Sequence, residues 1–308
     1  MAEFQLIERY FSGLSGTRQD VALGVGDDCA LLEAPPGMRL AMTMDTLIAG
    51  RHFLPDVAPR ALGHKVLAVN LSDLAAMGAR PAWALLSISL PAIDHEWLSA
   101  FSAGFSALAA EHDVALVGGD TCQGHMSITL QLTGFVEPGR ALRRSTARPG
   151  DKIYVTGTLG DAALALKRLL ADEDPGDLRQ RLEQPCPRIA EGRALSGAGA
   201  TSCIDLSDGL VADLGHICQQ SGCAARILLE RIPMSAQVRE YVSVTGDFAL
   251  AVAGGDDYEL CFTLPAGEAP PDGVEAACIG EMLPGQGVEL LDARSRALPL
   301  PRGWEHFA

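Results

Sequence analysis

Lysine is scarce in this chain of 308 residues, since Lys65, Lys152 and Lys167 are the only ones. The phosphate-loop pattern G-x-x-x-x-G-K-[ST] does not occur, and neither does the dinucleotide-binding pattern G-x-G-x-x-G. These two absences argue against a phosphate-loop enzyme and against a dinucleotide-binding fold. The formal net charge of −15 argues against non-specific binding to nucleic acid, which depends on a basic surface.

The sequence also lacks the marks of membrane, secreted and zinc proteins. No segment approaches about 18 uninterrupted apolar residues, and MAEFQLIERYFSG is not a basic leader followed by an apolar core. The eight cysteines form no C-x-x-C pair, and the seven histidines form no H-E-x-x-H motif. We therefore expect a cytoplasmic protein with no membrane partner. Its cysteines are expected to be reduced and buried, forming neither disulfides nor a zinc site.

Acidic residues, in contrast, follow at least six short apolar runs. They are Asp27, Asp28, Asp45, Asp73, Asp120, Asp205, Asp208, Asp256, Asp257 and Glu259. One acid after one strand is most simply a turn or a helix cap, but recurrence after successive runs favours a shared site. Carboxylates gathered at strand ends repel one another unless a divalent cation lies among them, and Mg²⁺ is the usual cation for oxygen ligands. The pattern predicts metal-bridged phosphate chemistry.

Strands and helices alternate in the first half of the chain. Apolar spacing predicts a helix over residues 60–79, which carries Asn70 and Asp73 three positions apart and can present Asp73 to the acidic cluster. A second helix is predicted over residues 94–111 with Asp94 as its N-cap. Strands are predicted over residues 39–45, 82–90, 114–119 and 127–136.

A Pro-, Gly- and Arg-rich stretch, residues 137–151, separates two predicted α/β domains, 1–146 and 147–308. In the second domain, KIYVTGTLGDAALALKRLL and CIDLSDGLVADLGHICQQSG each indicate a strand, a turn and a helix. PRIAEGRALSG is expected to be helical, and AARILLERI and YELCFTL to be strands. PGQGVELL is a hairpin signal.

Three features of this second half leave alternatives open. The amides of GTLGDAA, residues 157–163, could bind an anion at a helix N-terminus, or its glycines could serve only close packing. Ser207 could cap the following helix, face a phosphate, or do both. Arg143 and Arg144 could bind phosphate bidentately, or they could be solvated linker residues.

Several motifs together resemble one family closely. They are GVGDDCALL, MDTLIAGRHF, AVNLSDLAAMGARP, GGDT, RPGD with YVTGTLGDAA, IDLSDGL, and GGDDYELCF. In this order and spacing they resemble the thiamine-monophosphate kinases, from residue 4 to the C-terminal GWEHF. The wider superfamily includes aminoimidazole ribonucleotide synthetase, selenophosphate synthetase and a hydrogenase-maturation protein, all users of ATP.

The resemblance implies a two-domain α/β (α+β) fold like that of aminoimidazole ribonucleotide synthetase. The N-terminal domain, 1–146, would bind ATP and Mg²⁺ and form a homodimer through a shared barrel-like sheet, and the C-terminal domain, 147–308, would complete the substrate site. The implied reaction transfers the γ-phosphoryl group of ATP to thiamine monophosphate with several Mg²⁺ ions, giving thiamine diphosphate and ADP.

The resemblance also implies roles for individual residues. The expected metal ligands are Asp28, Thr43, Met44, Asp45, Asp73, Asp120, Asp205 and Asp208. ATP would contact Gly119, Asp120, Arg144 and Ser207, and thiamine monophosphate would contact His52, Asp256 and Trp304. The family often has Ser or Thr in place of Met44, which could bind metal only through its backbone carbonyl, and Glu in place of Asp256.

The implied chemistry agrees with the residues present. The acceptor is a phosphate oxygen that is largely deprotonated near neutral pH, so no general base is required. No Ser-His-Asp or Cys-His arrangement is visible, and nothing requires a nucleophilic side chain. Catalysis then consists of positioning the two substrates and neutralising charge on the transferred group.

Two other functions fit parts of this pattern. The first is an ATP-dependent synthetase of the same superfamily. Selenophosphate synthesis would require a reactive Cys or selenocysteine near the N-terminus, and the hydrogenase-maturation protein ends in a Cys-bearing tail, whereas the first cysteine here is Cys29 and the chain ends in WEHFA. The second is a non-catalytic nucleotide or metal sensor, which would be marked by degraded acidic motifs. The nearly intact acids favour the kinase.

Overall fold

The computed structural model describes residues 3–15, 18–301 and 303. These residues form two units, which we call unit 1 (Met1–Leu74 and Ala79–Gly139) and unit 2 (Ala75–Gly78 and Arg140–Ala308). None of the helices in the described ranges combines the length and apolar character that a bilayer-spanning helix requires. The chain thus has the two-domain α/β architecture that was expected, with one mixed sheet in each unit.

Unit 1 is built around a four-stranded sheet. Its elements in chain order are α1 (Glu3–Tyr10), a 3₁₀ turn (Ser12–Ser15), β1 (Val21–Leu23), β2 (Leu31–Leu32), β3 (Arg39–Ile48), α2 (Pro59–Ala76), β4 (Arg80–Leu90), α3 (His95–Glu111), β5 (Ala115–Gln123) and β6 (Ser127–Val136). The strand order is β3-β6-β4-β5, with β4 and β5 parallel and the other pairs antiparallel. Strands β1 and β2 form a separate pair.

The edge strand β3 shows that the two faces of this sheet differ. Successive side chains on a strand point to opposite faces. Met42 and Met44 are 65% and 62% exposed, whereas Leu47, on the other face, is buried. Helix α2 covers that other face, since a Cβ on Gly134 of β6 would lie 2.9 Å from Leu74 Cδ1. One face of the sheet is therefore covered by helix, and the other presents apolar side chains.

The two helices predicted in the first half are confirmed. Helix α2 ends at Ala76, and the chain then turns at Gly78 with φ +66°, a conformation that glycine adopts readily. Helix α3 is capped by Asp94, whose side chain accepts hydrogen bonds from the amides of Glu96 (2.9 Å) and Trp97 (3.1 Å). The four predicted strands are confirmed, although β3 and β5 extend beyond the expected ends.

Unit 2 is built around a six-stranded sheet. Its elements are β7 (Lys152–Thr156), α4 (Asp161–Leu170), α5 (Leu178–Glu183), α6 (Ile189–Ala198), β8 (Ser202–Asp205), α7 (Leu210–Ser221), β9 (Ala224–Leu228), a 3₁₀ turn (Leu229–Arg231), α8 (Ala236–Thr245), α9 (Ala249–Ala253), β10 (Leu260–Leu264), β11 (Ala276–Leu283) and β12 (Gly287–Leu291). The strand order is β12-β9-β11-β7-β10-β8, and only β12 and β9 are parallel.

The predicted late hairpin is wrong. The turn signal in PGQGVELL does join β11 to β12, but β9 lies between these two strands in the sheet. Strand β12 pairs in parallel with β9, for example Val288 with Ala225. A turn signal is local, whereas the choice of partner strand depends on which apolar faces the sheet buries. The predicted strands β7, β8, β9 and β10 and helices α4, α6 and α7 are all present.

The core of unit 2 is a single cluster of aliphatic side chains between its sheet and helices. Ile153 and Val155 of β7, Leu214 and Ile217 of α7, and Ile279 of β11 are fully buried in it. Burying one such side chain stabilises the fold by about 1.5–3 kcal/mol. This core holds β8 and β10 in place. IDLSDGL runs out of the end of β8, and GGDDYEL leads into the start of β10.

The cysteines are all free thiols, as expected, but they are not all buried. Four are buried (Cys203, Cys218, Cys223 and Cys261), Cys278 is half-buried, and three are exposed (Cys29, Cys122 and Cys186). The prediction of buried cysteines is therefore wrong for the three exposed ones, of which Cys29 and Cys186 lie in loops and Cys122 lies near the end of β5.

Candidate active site

In unit 1, Asp45 and Asp73 lie close together. Strand β3 carries Thr43 and Asp45 on the covered face of the sheet, and α2 brings Asp73 to the same place. The Thr43 hydroxyl donates a hydrogen bond to Asp73 Oδ2. Burial, together with the charge of Asp73, raises the pKa of Asp45 from 3.8 to about 7. The two carboxyl groups and the hydroxyl therefore share a small, poorly solvated volume.

These three side chains are suitable ligands for a hard cation. Two neighbouring carboxylates away from bulk water disfavour ionisation, and a divalent cation between them would reverse this effect. Mg²⁺ commonly uses one or two carboxylates and keeps several waters, so the Asp45 and Asp73 pair is sufficient for one ion. Among the residues that the structure describes, no three His, Cys, Asp or Glu side chains are gathered in a way that could hold a metal.

Asp28 and Asp120, two further predicted ligands, therefore do not join that pair as a third carboxylate within the described residues. Asp28 is exposed, and its amide donates to Asp27 Oδ1 at 2.9 Å, which assigns Asp27 to a local turn. Asp120 is exposed on β5 and is paired in register with Ser87. The preceding Gly119 has φ +152°, and a Cβ there would lie 1.8 Å from Leu86 O.

His52 and Met44 are fixed by the geometry of β3 and the turn after it. The Ile48 amide donates to His52 Nδ1 at 3.1 Å, and the His52 amide donates to Ile48 O at 3.0 Å. The ring of His52 is thus held against its own turn. Met44 points its side chain away from Thr43 and Asp45, because adjacent residues of a strand face opposite sides. Any metal contact of Met44 would have to use its backbone carbonyl, as expected.

In unit 2, the IDLSDGL turn and the GGDDYE segment lie side by side. The Asp256 amide donates to Ser207 O at 2.9 Å, and the Tyr258 amide donates to Leu206 O at 2.8 Å. In return, the Leu206 amide donates to Glu259 O at 2.8 Å. Ser207, predicted to contact ATP, and Asp256, predicted to contact thiamine monophosphate, are therefore adjacent.

Two glycines allow this close approach of the backbones. A Cβ on Gly255 would lie 2.5 Å from Ser207 O, and a Cβ on Gly209 would lie 2.8 Å from the backbone of Ala253. Gly209 also has φ +109°, which disfavours any other residue. The glycines of both motifs are thus required by the packing of one motif on the other.

Asp213, and not Ser207, caps the turn before α7, so the predicted capping role of Ser207 is wrong. Gly209 is the N-cap residue of this helix, and Asp213 Oδ2 accepts hydrogen bonds from the amides of Asp208 and Gly209, each at 3.1 Å. Burial and the charge of Asp208 raise the pKa of Asp213 to about 7, although the hydrogen bonds from the Asp208 and Gly209 amides and the charge of Arg144 oppose this rise. An acid in the first turn of a predicted helix is the sequence signal that could have identified it.

Arg144 lies near the same turn, and its side chain, like that of Arg143, is exposed, as a solvated linker residue would be. Its carbonyl accepts a hydrogen bond from Ser221 Oγ at 2.7 Å, and the Arg143 carbonyl accepts one from the Cys203 amide at 3.3 Å. The charge of Arg144 lowers the pKa values of both Cys203 and Asp213, although burial raises each of them overall. This places a guanidinium group beside β8 and the start of α7.

Asp205, at the end of β8, is a second buried acid near this turn, besides Asp213. Its backbone pairs with Leu260 of β10, and its charge, second to burial, raises the pKa of the Cys203 thiol. Gly303 reaches the same region, since a Cβ on it would lie 2.9 Å from Asp208 O and from Ala212 Cβ. The predicted substrate residue Trp304 lies outside the described residues.

The Gly-rich turn GTLGD binds an acid of the protein itself. The Gly160 amide donates to both carboxyl oxygens of Asp257, at 2.9 and 3.2 Å. A Cβ on Gly157 would lie 2.1 Å from Glu259 Oε1. The amide that could have bound a phosphate is therefore occupied, and close packing explains these glycines. Sequence analysis left Asp257 without a role and did not identify the partners of Glu259.

The similarity to known proteins extends over nearly the whole chain. The family described as AIR synthase related protein, N-terminal domain, matches residues 26–136, and the corresponding C-terminal domain family matches residues 148–292. The thiamine-monophosphate kinase of Salmonella typhimurium (strain LT2) is 47% identical over 322 residues, covering 99% of this chain and 98% of that protein.

Two solved structures support the same relationship. The crystal structure of the thiamine-monophosphate kinase from Stenotrophomonas maltophilia K279a is 44% identical, with a TM-score of 0.87 over 94% of this chain and 96% of that chain. The structure of AaThiL complexed with AMPPCP and TMP is 33% identical, with a TM-score of 0.81 over 99% of this chain and 97% of that chain. The chain therefore belongs to the thiamine-monophosphate kinase family, within the AIR synthase related proteins.

Proposed function

We propose that this protein transfers the γ-phosphoryl group of ATP to thiamine monophosphate, giving thiamine diphosphate and ADP by direct in-line transfer. The observation that carries the proposal is the end-to-end similarity to thiamine-monophosphate kinases, 47% identity over 99% of the chain. Both substrates have a counterpart in a relative, since AaThiL has been solved with AMPPCP and TMP. The reaction fits a site rich in aspartate and without a nucleophile.

Several Mg²⁺ ions are part of this proposal. Their ligands would be Asp28, Thr43, the Met44 carbonyl, Asp45, Asp73, Asp120, Asp205 and Asp208. The raised pKa of Asp45 supports the assignment, because a carboxyl destabilised by burial and by Asp73 gains most from a cation. When bound, Mg²⁺ neutralises charge on the phosphoryl oxygens and polarises the transferred group.

The remaining residues would bind and orient the substrates. Gly119, Asp120, Arg144 and Ser207 are assigned to ATP, and His52, Asp256 and Trp304 to thiamine monophosphate. A guanidinium can hold phosphate oxygens bidentately, which suits Arg144. The hydrogen bond between the Asp256 amide and Ser207 O supports the pairing of the two roles, because in-line transfer requires donor and acceptor side by side.

No side chain acts as a base or nucleophile in this mechanism. The attacking atom is a phosphate oxygen of thiamine monophosphate, which carries negative charge near neutral pH. The protein residues hold this oxygen and the γ-phosphorus in line, and they keep donors and cations around the transferred group. The cations that these acidic ligands would hold therefore take the place of the missing phosphate-loop lysine.

We also propose that the protein is a homodimer formed by the uncovered face of the unit 1 sheet. This face and its edge strand β3 expose large apolar side chains, namely Leu40, Met42, Met44, Ile48 and Leu85. Such a patch on a monomer marks an interaction surface. A second copy would bury it against its own equivalent, because a two-fold interface is self-complementary. Met42→Asp should convert a dimer to monomers in sedimentation analysis, and an unchanged mass would refute this interface.

The domain roles follow from these assignments. Residues 1–146 would bind ATP and Mg²⁺ and form the dimer, and residues 147–308 would complete the substrate site. We propose a cytoplasmic location, which agrees with eight cysteines that are all free thiols.

The test of the function is direct. Purified protein is incubated with Mg-ATP and thiamine monophosphate, and thiamine diphosphate and ADP are measured by chromatography. We expect equal amounts of the two products, and no product from unphosphorylated thiamine under the same conditions. The proposal is overturned if thiamine diphosphate does not form and ATP is consumed only with another acceptor.

A further inference from the structure

Glu259 lies in a charged cluster for which the proposed mechanism has no use. It is 1% exposed, and its carboxylate accepts hydrogen bonds from Arg188 Nε (2.6 Å) and Nη2 (2.8 Å). It also accepts hydrogen bonds from Arg181 Nη2 at 2.8 Å and from Thr156 Oγ1 at 2.7 Å. Gly157 leaves room for it, since any Cβ there would clash with the carboxylate. Four donors from two arginines and one threonine thus enclose a single buried acid.

This cluster holds Glu259 in its ionised form. Burial disfavours the charge, but the hydrogen bonds and charge of Arg188, with Thr156 and Arg181, outweigh burial and lower the pKa of Glu259. The same pairing raises the pKa of Arg188. An acid fully enclosed by fixed donors has little freedom to move, because each hydrogen bond restrains its direction.

The segment that ends at Glu259 has an unusual backbone. Asp256 and Tyr258 have φ values of +65° and +49°, in the left-handed region that non-glycine residues seldom adopt. Such conformations persist only where the surrounding structure enforces them, and they cluster at functional sites. Two of them within three residues indicate that the path of the chain from Asp256 to Tyr258 is imposed by its anchors.

Along this segment, buried side chains that anchor the chain alternate with half-buried ones. Asp257 and Glu259 are buried, and Asp257 is tied to the Gly160 amide. Asp256 and Tyr258 are half-buried, and the Tyr258 hydroxyl donates to Asp256 Oδ1 at 3.1 Å. The inner side chains therefore fix the segment, and the outer pair presents the carboxyl group of Asp256 in one orientation.

We propose that Glu259, clamped by Arg181 and Arg188, is a positioning residue that sets the place of Asp256 and so controls binding of thiamine monophosphate rather than ATP. This inference rests on the proposed function, in which Asp256 contacts that substrate. Loosening the clamp lets the strained segment relax and displaces the Asp256 carboxyl. Of the residues assigned to ATP, Gly119, Asp120 and Arg144 lie outside this segment. Ser207 meets it through its backbone carbonyl, which accepts the Asp256 amide at 2.9 Å and leaves the hydroxyl to contact ATP.

The test compares two arginines of one short helix. Arg181 and Arg179 both lie on α5, but Arg181 binds Glu259 whereas Arg179 pairs with Glu183. Arg181→Gln and Arg179→Gln therefore remove the same charge from the same helix, and only the first loosens the clamp. KM values for both substrates are measured, together with the Kd of thiamine monophosphate in the presence of AMPPCP.

We expect Arg181→Gln to raise the KM and Kd for thiamine monophosphate about tenfold, within the hundredfold that a displacement of about 1 Å can cost. The KM for ATP should change less than about twofold, and Arg179→Gln should change neither value. Glu259→Gln should act in the same direction, and adding Arg181→Gln to it should have little further effect, because both changes break one cluster.

A purely structural role would give a different result. In that case both KM values would stay unchanged while the melting temperature and the active fraction fall together, or both would rise equally, and either outcome overturns the inference. If Glu259→Gln does not fold, the Arg181→Gln variant still tests the inference, because Arg181 is partly exposed. An inactive wild-type protein would refute the proposed function. An active wild type with an unmoved thiamine monophosphate KM in Arg181→Gln would refute only the positioning role.

Discussion

The acids of unit 1 and those of unit 2 are buried in opposite electrostatic settings. Asp45 lies against Asp73, and burial with that like charge raises the pKa of Asp45 to about 7. Glu259 is more deeply enclosed, yet Arg188, Thr156 and Arg181 lower its pKa in spite of burial. The protein neutralises the charge of Glu259 with its own side chains, whereas Asp45 faces a second acid, and in the proposed function a cation would bind there.

In the proposed function, this difference separates acids that hold the fold from acids that hold a metal ion. A carboxylate whose partners are all supplied by the chain is rigid and saturated, so it can anchor a neighbour but offers few free oxygens to a ligand. A pair of neighbouring carboxylates destabilises the fold by repulsion, and the binding of a cation to the pair stabilises it. The sequence does not distinguish the two kinds, because it shows both as acidic residues after apolar runs.

The largest expected effect is on turnover. Asp45→Asn and Asp120→Asn should each reduce the Mg²⁺-dependent rate of thiamine diphosphate formation at least about a hundredfold, because an amide cannot supply the carboxylate charge that holds a cation. Circular dichroism should show an unchanged fold. Asp94→Asn, in an exposed helix cap, is the control and should retain full activity. A near-normal rate in both site variants would mean that these acids are caps or turn residues only.

The next largest effect is on the stability of the fold and concerns the buried cluster of Glu259, Arg181 and Arg188. Glu259→Ala should lower the free energy of unfolding in urea by about 3 kcal/mol, because it leaves Arg188 and Arg181 without their buried partner. Glu281→Ala is the matched control. Its pair with Lys152 is more than a third exposed on both sides, so its loss should cost less than about 1 kcal/mol. Equal losses would contradict the distinction between the two kinds of acid.

A third effect depends on pH. Burial raises the pKa of Asp257 well above its ordinary value of 3.8, and the Gly160 hydrogen bond only partly opposes this. The folded state thus keeps a proton that the unfolded state releases, so the contribution of Asp257 to stability is complete below pH 3.8 and is lost as pH rises through the raised pKa.

Asp257→Asn mimics the protonated acid and removes this dependence. Relative to the variant, the wild type should lose up to about 1.4 kcal/mol of unfolding free energy per pH unit above pH 4 until the raised pKa is reached. Urea unfolding from pH 4 to pH 8 measures the difference between the two proteins. A constant difference would show that Asp257 is ionised in the fold, as Glu259 is.

The smallest effect concerns helix caps. Ser207→Ala should change the free energy of unfolding by less than about 0.5 kcal/mol, since Asp213 supplies the hydrogen bonds at the start of α7. Ser235→Ala should cost about 1 kcal/mol, because the Ser235 hydroxyl accepts the Val238 amide at the start of α8. Comparable losses of unfolding free energy in the two variants would show that Ser207 does cap α7.

Local sequence signals predicted most of the elements correctly. Helix α3 was identified because its apolar period and its Asp94 cap are local signals, and β6 because polar and apolar residues alternate from Ser127 to Thr133. The hairpin of β11 and β12 and the cap role of Ser207 failed for one reason. Each depended on a partner, β9 or Asp213, that local turn chemistry does not specify.

For the same reason, the sequence indicated the acids of the candidate site but not all of their partners. The acids were recognisable, and the adjacency of Asp45 and Asp73 follows from a strand beside a helix. The clamp on Glu259 was missed because Arg181 and Arg188 precede it by 78 and 71 residues. No periodicity or spacing rule connects positions that far apart.

By itself, the sequence determined the family, the two-domain α/β architecture, and the set of acids that follow apolar runs. These depend on residue type and short spacing, which are written in the chain. Only the tertiary structure decided which acids are neutralised from within and which are not. That outcome depends on the side chains that packing brings against each carboxylate. Burial and neighbouring acids raise the pKa of Asp45 and Asp257, whereas Arg188, Thr156 and Arg181 outweigh burial at Glu259.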